Sequence, residues 1–197
     1  MLCLMIFNAV LSAVALSARP SYRVGAASTS QIMPASLIMQ ECFGERPLSH
    51  FAMLKSPWLT SNALFRPMSD LVIAVATDTD DSDEEILIGA ATVRQGKLRK
   101  VLGQGAAGRT VAFVQSVAVA KEHRRLGVGR ALMEWCEDVA REAWPAAEET
   151  WLAVEESSPS KDAALSLYQS LGYSMRAGGP VDGEVLLSKA LGLRTGT

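Results

Sequence analysis

The stretch that decides the fold is Val117-Ala-Val-Ala-Lys-Glu-His-Arg-Arg-Leu-Gly-Val-Gly-Arg-Ala-Leu-Met133. Its pattern indicates the end of a strand, a tight turn and the start of a helix. The first turn of a helix leaves about four backbone N–H groups without intrahelical partners, and the helix dipole adds partial positive charge there. Three arginines supply further cationic donors: Arg124, Arg125 and Arg130. Because Gly127 and Gly129 carry no Cβ, a ligand can approach closely, and the segment predicts a phosphate site.

The helix predicted after this turn covers residues 127–144 and carries one apolar stripe. The members of the stripe recur at the helical period: Val128, Leu132, Trp135, Cys136, Val139, Ala140 and Ala143. Charged residues fall on the opposite side: Arg130, Glu134, Glu137, Asp138 and Arg141. The pattern predicts that this helix is anchored to a hydrophobic core.

Two familiar phosphate motifs do not fit this turn. A Walker-type loop needs Gly-Lys-Ser/Thr where the chain has Gly129-Arg130-Ala131, and the dinucleotide fingerprint needs a third glycine at Leu132. Residues 103–108 match that fingerprint letter for letter, but they follow a basic stretch and lead into a strand. Because the fingerprint must open a helix, we interpret residues 103–108 as a connection between strands.

A second motif lies downstream. A strand-like segment, residues 151–155, leads to a predicted helix that carries Leu167-Tyr168 and is followed by Gly172 and Tyr173. Together with Arg124-Arg125-Leu126-Gly127-Val128-Gly129, which matches Arg/Gln-x-x-Gly-x-Gly/Ala, this order resembles the GNAT superfamily of acetyl-CoA-dependent N-acetyltransferases. The resemblance covers roughly residues 71–189, and it is most like plastid and ribosomal-protein-type members.

The resemblance implies a mixed α/β (α+β) fold. We expect a mixed, mostly antiparallel central sheet with helices on both faces and a splay between the two central strands. The chain's own patterns predict helices at 32–43, 48–64, 127–144 and 159–171. They predict strands at 71–76, 86–93, 110–120, 150–155, 173–175 and 184–188.

The resemblance also implies how acetyl-CoA is held. The pantetheine arm would pair with the backbone of Val117, Ala118 and Val119. The pyrophosphate would rest on the turn: Arg124, Arg125, Leu126, Gly127, Val128, Gly129 and Arg130, with Ala131 beside them. The family tends to place an asparagine after the next strand to bond the pantetheine. This chain has none and offers Ser157, Ser158, Ser160 or Lys161 there, of which we expect Ser158 and Lys161 to contact the coenzyme.

Carried over in the same way, Tyr168 is the general acid that protonates the departing thiolate. On its helical spacing alone it reads as a core aromatic. The general base that takes the proton of the amine is not decided by the sequence. The candidates are Glu155, Glu156 and a water held by the backbone or by Gln115 and Ser116. His123 is interpreted as structural.

Composition limits the other possibilities. The chain of 197 residues is 49% hydrophobic and has a formal net charge of −2, which argues against a nucleic-acid surface. Two histidines leave little material for a histidine triad or a multi-histidine metal site, so we expect no metal. The three cysteines show no paired metal-ligand spacing and are interpreted as buried thiols: Cys3, Cys42 and Cys136.

The N-terminus differs from the rest of the chain. The first 40 residues contain no Asp or Glu and open with an apolar run interrupted by Asn8 and Ser12. A signal-like core followed by a Ser/Ala-rich stretch is typical of plastid proteins in algae with complex plastids. We therefore expect residues 1–30 to be a targeting extension to the plastid, with a mitochondrial or secretory address as the alternative. Residues 31–197 are predicted to form the acetyltransferase domain, without stable membrane insertion.

The resemblance implies an N-acetyltransferase that acts on a protein N-terminal α-amine or a lysine side chain. Two alternatives stay open at this point: acetylation of a small-molecule amine, and a non-catalytic acetyl-CoA sensor. The expected partners are acetyl-CoA and an acceptor protein or peptide, with no nucleic acid, and the chain is expected to be a monomer or a homodimer.

Overall fold

The computed structural model describes residues 22–43, 71–78, 85–97, 109–176 and 183–192. The helices are α1 (Ile32–Phe43), α2 (Val128–Ala143) and α3 (Lys161–Ser170). The strands are β1 (Tyr22–Ala26), β2 (Leu71–Asp78), β3 (Leu87–Lys97), β4 (Thr110–Val119), β5 (Glu149–Glu155), β6 (Ser174–Met175) and β7 (Glu184–Ala190). Two short 3-10 helices precede α1 and α2. Predicted helix 48–64 and the connection at 103–108 lie outside the described residues.

The seven strands form one sheet in the order β1-β2-β3-β4-β5-β7-β6. Neighbouring strands are antiparallel except β4 and β5, which run parallel. These two central strands pair through only Ala112 with Thr150 and Phe113 with Trp151, and then diverge. The expected fold class, with its splay between the central strands, is confirmed.

Alternation along the strands assigns the two faces of the sheet. In β2, Ala74 and Ala76 belong to the core under α2, whereas Val75 between them packs with Ala35 and Met39 of α1. This follows because successive side chains of a strand point to opposite faces. Tyr168 of α3 and Leu171, the residue after that helix, belong to the core that α2 covers. Helix α2 itself contributes Val128, Leu132, Met133, Cys136 and Ala140.

Four residues of the predicted stripe of α2 are buried: Val128, Leu132, Cys136 and Ala140. Trp135 and Val139 are half-buried, and Ala143, at the last position of the helix, is exposed, so its predicted place in the stripe was wrong. Cys136 is fully buried, as predicted, and burial raises the pKa of its thiol. Cys42 is only half-buried, and Cys3 lies outside the described residues.

The structure differs from the sequence prediction at two boundaries. Tyr22–Ala26, which we assigned to the extension, forms an edge strand paired with β2 from Tyr22–Asp78 to Ala26–Ala74. The composition resembles a transit segment, but Tyr22 and Val24 pack against the core on the α2 side. Helix α3 begins at Lys161, two residues later than the predicted start at residue 159, and Ser158 to Ser160 lie before it. Those residues form a turn in which the Ser160 amide donates to the Ser158 hydroxyl at 3.3 Å.

One charged side chain of α2 does not follow the pattern of an exposed polar face. Glu137 is buried, and its Oε2 accepts hydrogen bonds from Lys189 Nζ at 2.7 Å and from Arg141 Nη2 at 3.1 Å. Lys189 lies on β7, so this carboxylate links α2 to the far half of the sheet. The Tyr173 ring lies under the same ammonium, 5.6 Å from its nitrogen.

We predict that Glu137→Gln lowers the free energy of unfolding by about 2–3 kcal/mol, because it leaves two cations without their buried partner. Urea unfolding followed by circular dichroism would measure the loss. Glu142→Gln, an exposed position on the same helix, serves as the control and should change stability by less than about 0.5 kcal/mol. Equal stability of the two variants would contradict the role of Glu137.

Candidate active site

The turn before α2, residues 124–130, is called the phosphate turn below. Arg125 and Gly127 both have positive φ, at 68° and 87°, so the backbone reverses sharply on either side of Leu126. The first hydrogen bond of the helix joins the Ala131 amide to the Gly127 carbonyl at 3.0 Å. The amides of Val128, Gly129 and Arg130 precede that bond and have no intrahelical partner. The turn therefore presents a row of free donors to an anion.

The phosphate turn forms one wall of a cleft of about 910 Å³. Most of the predicted site residues border it: Val117, Ala118, Val119, Arg124, Arg125, Gly127, Gly129, Arg130, Glu155, Ser158 and Tyr168. Cys42 and Phe43 at the end of α1 border it too, which the sequence did not predict. The cleft thus joins the end of β4, the start of α2 and the near side of α3.

Strand β4 is distorted where it reaches the cleft. Ala118 pairs with Ala90 of β3, but the next paired residue is Gln115, opposite Thr92. Ser116 between them has a φ of 53°, so the strand bulges. A bulge breaks the ladder locally and turns backbone groups away from the neighbouring strand. The backbone of Val117 to Val119 therefore borders the cleft beside the splay.

Two arginines of the phosphate turn are held by neighbouring groups. Arg124 Nε donates to the Val119 carbonyl at 3.0 Å, and its Nη2 lies 3.6 Å from the Cys42 sulfur. Arg130 Nη2 donates to the Ser170 hydroxyl at 2.8 Å. These contacts fix two cations at the rim of the cleft, where they complement negative charge.

Tyr168 lies on α3 with 8% of its surface exposed, and the exposed part borders the cleft. Its ring meets the ring of Tyr173 edge to face, with centroids 6.1 Å apart. Burial, and to a lesser degree the neighbouring Cys136 thiol, raise the pKa of Tyr168 to about 12. The hydroxyl is therefore protonated throughout the neutral range and is available as a hydrogen-bond donor.

The two candidate bases are placed differently. Glu155 borders the cleft, and its Oε1 accepts a hydrogen bond from the Ser157 hydroxyl at 2.6 Å. Glu156 lies outside the cleft lining, with its carboxylate 3.8 Å from Lys161 Nζ. Of the two residues expected in place of the family asparagine, Ser158 borders the cleft and Lys161 does not.

Three residues of the predicted phosphate site have no side chain in the cleft: Leu126, Val128 and Ala131. The Leu126 side chain is exposed and lies outside the cleft lining, and the Val128 side chain is buried in the core. The Ala131 amide is used by the helix and is therefore not free for a phosphate. His123 also borders the cleft. Its Nε2 lies 3.6 Å from Asp78 Oδ2, and this pair supports its interpretation as a structural residue.

The cleft residues fit acetyl-CoA. Free helix-start amides and fixed arginines suit a pyrophosphate, and the bulged end of β4 suits an extended pantetheine arm. A Cβ on Gly129 would lie 3.3 Å from Leu167 Cδ2, so glycine lets this part of the turn pack closely against α3. When bound, acetyl-CoA would supply an activated acetyl thioester to this cleft, which Tyr168 lines. Fold and cleft together define a protein that handles an acyl-coenzyme A.

Comparison with known families identifies the chain. Residues 39–173 match the acetyltransferase (GNAT) family, and the chain belongs to that family. It is accordingly an acyltransferase that uses acetyl-CoA. A comparison with curated protein sequences gives no match.

Solved structures share the fold. The NatC complex bound to Gag peptide and CoA has a chain that matches with a TM-score of 0.62 and 17% identity, covering 86% of this chain and 98% of that one. Arabidopsis thaliana Naa50 in complex with the bisubstrate analogue CoA-Ac-MVNAL matches with a TM-score of 0.56, 15% identity and the same coverage. The putative acetyltransferase yncA from Salmonella typhimurium, with acetyl-CoA, matches at 0.56 and 16%, covering 89% of this chain and 97% of that one.

We predict that Gly127→Val abolishes measurable acetyl-CoA binding. A β-branched residue is strained at a φ of 87°, and its Cβ would lie 3.1 Å from the Tyr22 hydroxyl, so the turn must move. Isothermal titration calorimetry would measure the affinity, and thermal melting would confirm folding. Gly25→Ala, where a Cβ meets no atom within 4 Å, is the control and should bind normally. Normal affinity in folded Gly127→Val would overturn the phosphate site.

Proposed function

We propose that this acetyltransferase acylates a protein amine, either an N-terminal α-amine or a lysine side chain. The observation that carries the proposal is the splay between β4 and β5. The strands stop pairing after Phe113 and Trp151, so a gap opens beside the cleft through which an amine can reach the thioester. The similarity to the NatC and Naa50 structures, which hold a peptide or a peptide analogue, supports a polypeptide acceptor.

The α1 side of β4 offers contacts for such an acceptor. Phe113 and Gln115 lie on the face of the sheet opposite α2, and both are half-buried. Arg94 Nε donates to Gln115 Oε1 at 3.1 Å, while its guanidinium lies 5.5 Å from the centre of the Phe113 ring. This cluster combines an apolar ring with polar groups that suit a peptide backbone.

In the proposed reaction the Tyr168 hydroxyl donates its proton to the departing thiolate sulfur as the thioester bond breaks. An amine must lose a proton before or during attack, and Glu155 is the better-placed base because it borders the cleft. Glu156 faces Lys161 instead, and it is the weaker candidate. A water on the bulged backbone of β4 is the remaining route for the proton.

An acceptor screen tests the proposal. The full chain is incubated with acetyl-CoA and, separately, with N-terminal peptides, with peptides carrying internal lysine and a blocked N-terminus, and with small amines. Mass spectrometry detects acetylated product, and a thiol reagent detects released CoA. We expect acetylated peptide. Product only from small amines would favour the metabolite alternative, and stabilisation by acetyl-CoA without turnover would favour a sensor.

We predict that Tyr168→Phe lowers kcat about a hundredfold and leaves the affinity for acetyl-CoA unchanged, because the hydroxyl acts on the leaving sulfur. Steady-state kinetics and calorimetry would separate the two effects. Tyr173→Phe is the matched control, because its ring contacts that of Tyr168 but does not line the cleft, and it should keep normal kcat. Unaltered rates of Tyr168→Phe at all pH values would remove Tyr168 from the mechanism.

We further propose a plastid address, which rests on the composition of the first 40 residues alone. Residues 1–21 lie outside the described residues. Among the described helices, none is long and apolar enough to span a bilayer. A fluorescent fusion of residues 1–40 would test the address, and export to mitochondria or the secretory route would contradict it.

A further inference from the structure

Strand β1 contacts the phosphate turn through a single aromatic side chain. The Tyr22 hydroxyl donates to the Leu126 carbonyl at 3.4 Å, across 104 positions of sequence. It also occupies the space next to Gly127, since a Cβ there would lie 3.1 Å from the hydroxyl oxygen. Tyr22 itself does not border the cleft.

The geometry of one peptide gives this contact a functional meaning. The Leu126 carbonyl and the Gly127 N–H belong to the same planar trans peptide, so they point in opposite directions. Tyr22 holds the carbonyl on the side away from the cleft lining, while Gly127 borders the cleft. The hydrogen bond therefore orients the Gly127 N–H toward the site of the anion.

The phosphate turn needs such support because it is strained. Arg125, a non-glycine residue, has a φ of 68°, and Gly127 has a φ of 87°, so Leu126 sits between two left-handed residues. Backbone in sparsely populated regions persists only where the surroundings fix it. Rotation of the 126–127 peptide would turn a carbonyl, instead of an N–H, toward the anion.

We propose that Tyr22 is a positioning residue for coenzyme binding, which acts by fixing the 126–127 peptide of the phosphate turn. Tyr22 does not touch the coenzyme in this arrangement. The Gly127 N–H that it orients donates to the diphosphate of the coenzyme. The proposal rests on the family's use of acetyl-CoA and is independent of which amine is acylated.

Two further features keep Tyr22 in place as a donor. The strand that carries it is held by backbone pairing with β2, from Tyr22–Asp78 to Ala26–Ala74, whereas the neighbouring Arg23–Glu85 ion pair is exposed on both sides and contributes little. Partial burial, and secondarily the negative charge of Glu134, raise the pKa of Tyr22, so its hydroxyl keeps its proton at neutral pH.

The test is the affinity of the full chain for two ligands, CoA and adenosine 3′-phosphate 5′-diphosphate, measured by calorimetry well below the melting temperature. Tyr22→Phe should raise the dissociation constant of both ligands about three- to tenfold, the range expected for losing one hydrogen bond. The diphosphate fragment is included because it carries the group expected at the phosphate turn and lacks the pantetheine arm.

Arg23→Gln is the matched control on the same strand. It removes a surface ion pair beside Tyr22 and should bind both ligands normally. A dissociation constant of Tyr22→Phe within twofold of the unchanged chain would overturn the proposal, and so would an equal loss in Arg23→Gln. Because no acceptor is present, a failed acceptor screen and a failed binding test are separate results.

Discussion

The hydrogen bond from the Ala131 amide to the Gly127 carbonyl sets where helix α2 begins, and the rest of the cleft depends on it. It consumes one amide and leaves those of Val128, Gly129 and Arg130 for a ligand. The position of that helix start is fixed in turn by the apolar stripe of α2, which is buried against the sheet. The same residues therefore build the core and aim the donors, so binding and stability are coupled at this point.

The second half of the site follows from the way β4 ends. The bulge at Ser116 and the early end of β4–β5 pairing leave backbone groups that no neighbouring strand uses. Buried backbone polar groups require partners, and an extended ligand beside the strand can supply them. On the coenzyme side this region meets Tyr168, and on the opposite face it meets Phe113 and Gln115. One irregular strand thus separates the two substrates of the proposed reaction.

Features that depend on local pattern could be predicted from the sequence. Helix α1 covers residues 32–43 as predicted, and each end of α2 lies within one residue of the predicted bounds 127–144. The phosphate turn was recognisable because glycine spacing and helix-start chemistry are local properties. Edge strand β1 was missed because a short strand in a Ser/Ala-rich stretch has little signal of its own. Its contact with Leu126 spans 104 positions, and no local pattern encodes that pairing. Lys161 was assigned as a substitute for the missing family asparagine and Ala131 by its position beside the motif. In the structure Lys161 lies near the Glu156 carboxylate, and the Ala131 amide bonds to the Gly127 carbonyl.

The pairing of β1 with β2 has a consequence for the solubility of the fold. A protein that begins at residue 31, the domain boundary that composition suggests, would lack the edge strand β1. The hydrogen-bonding edge of β2 would then be exposed. That strand reads Leu-Val-Ile-Ala-Val-Ala from Leu71 onward, with high β-propensity and no charge. An uncovered apolar edge of this kind is a template for pairing between molecules. Tyr22–Ala26 therefore also protects the molecule from self-association.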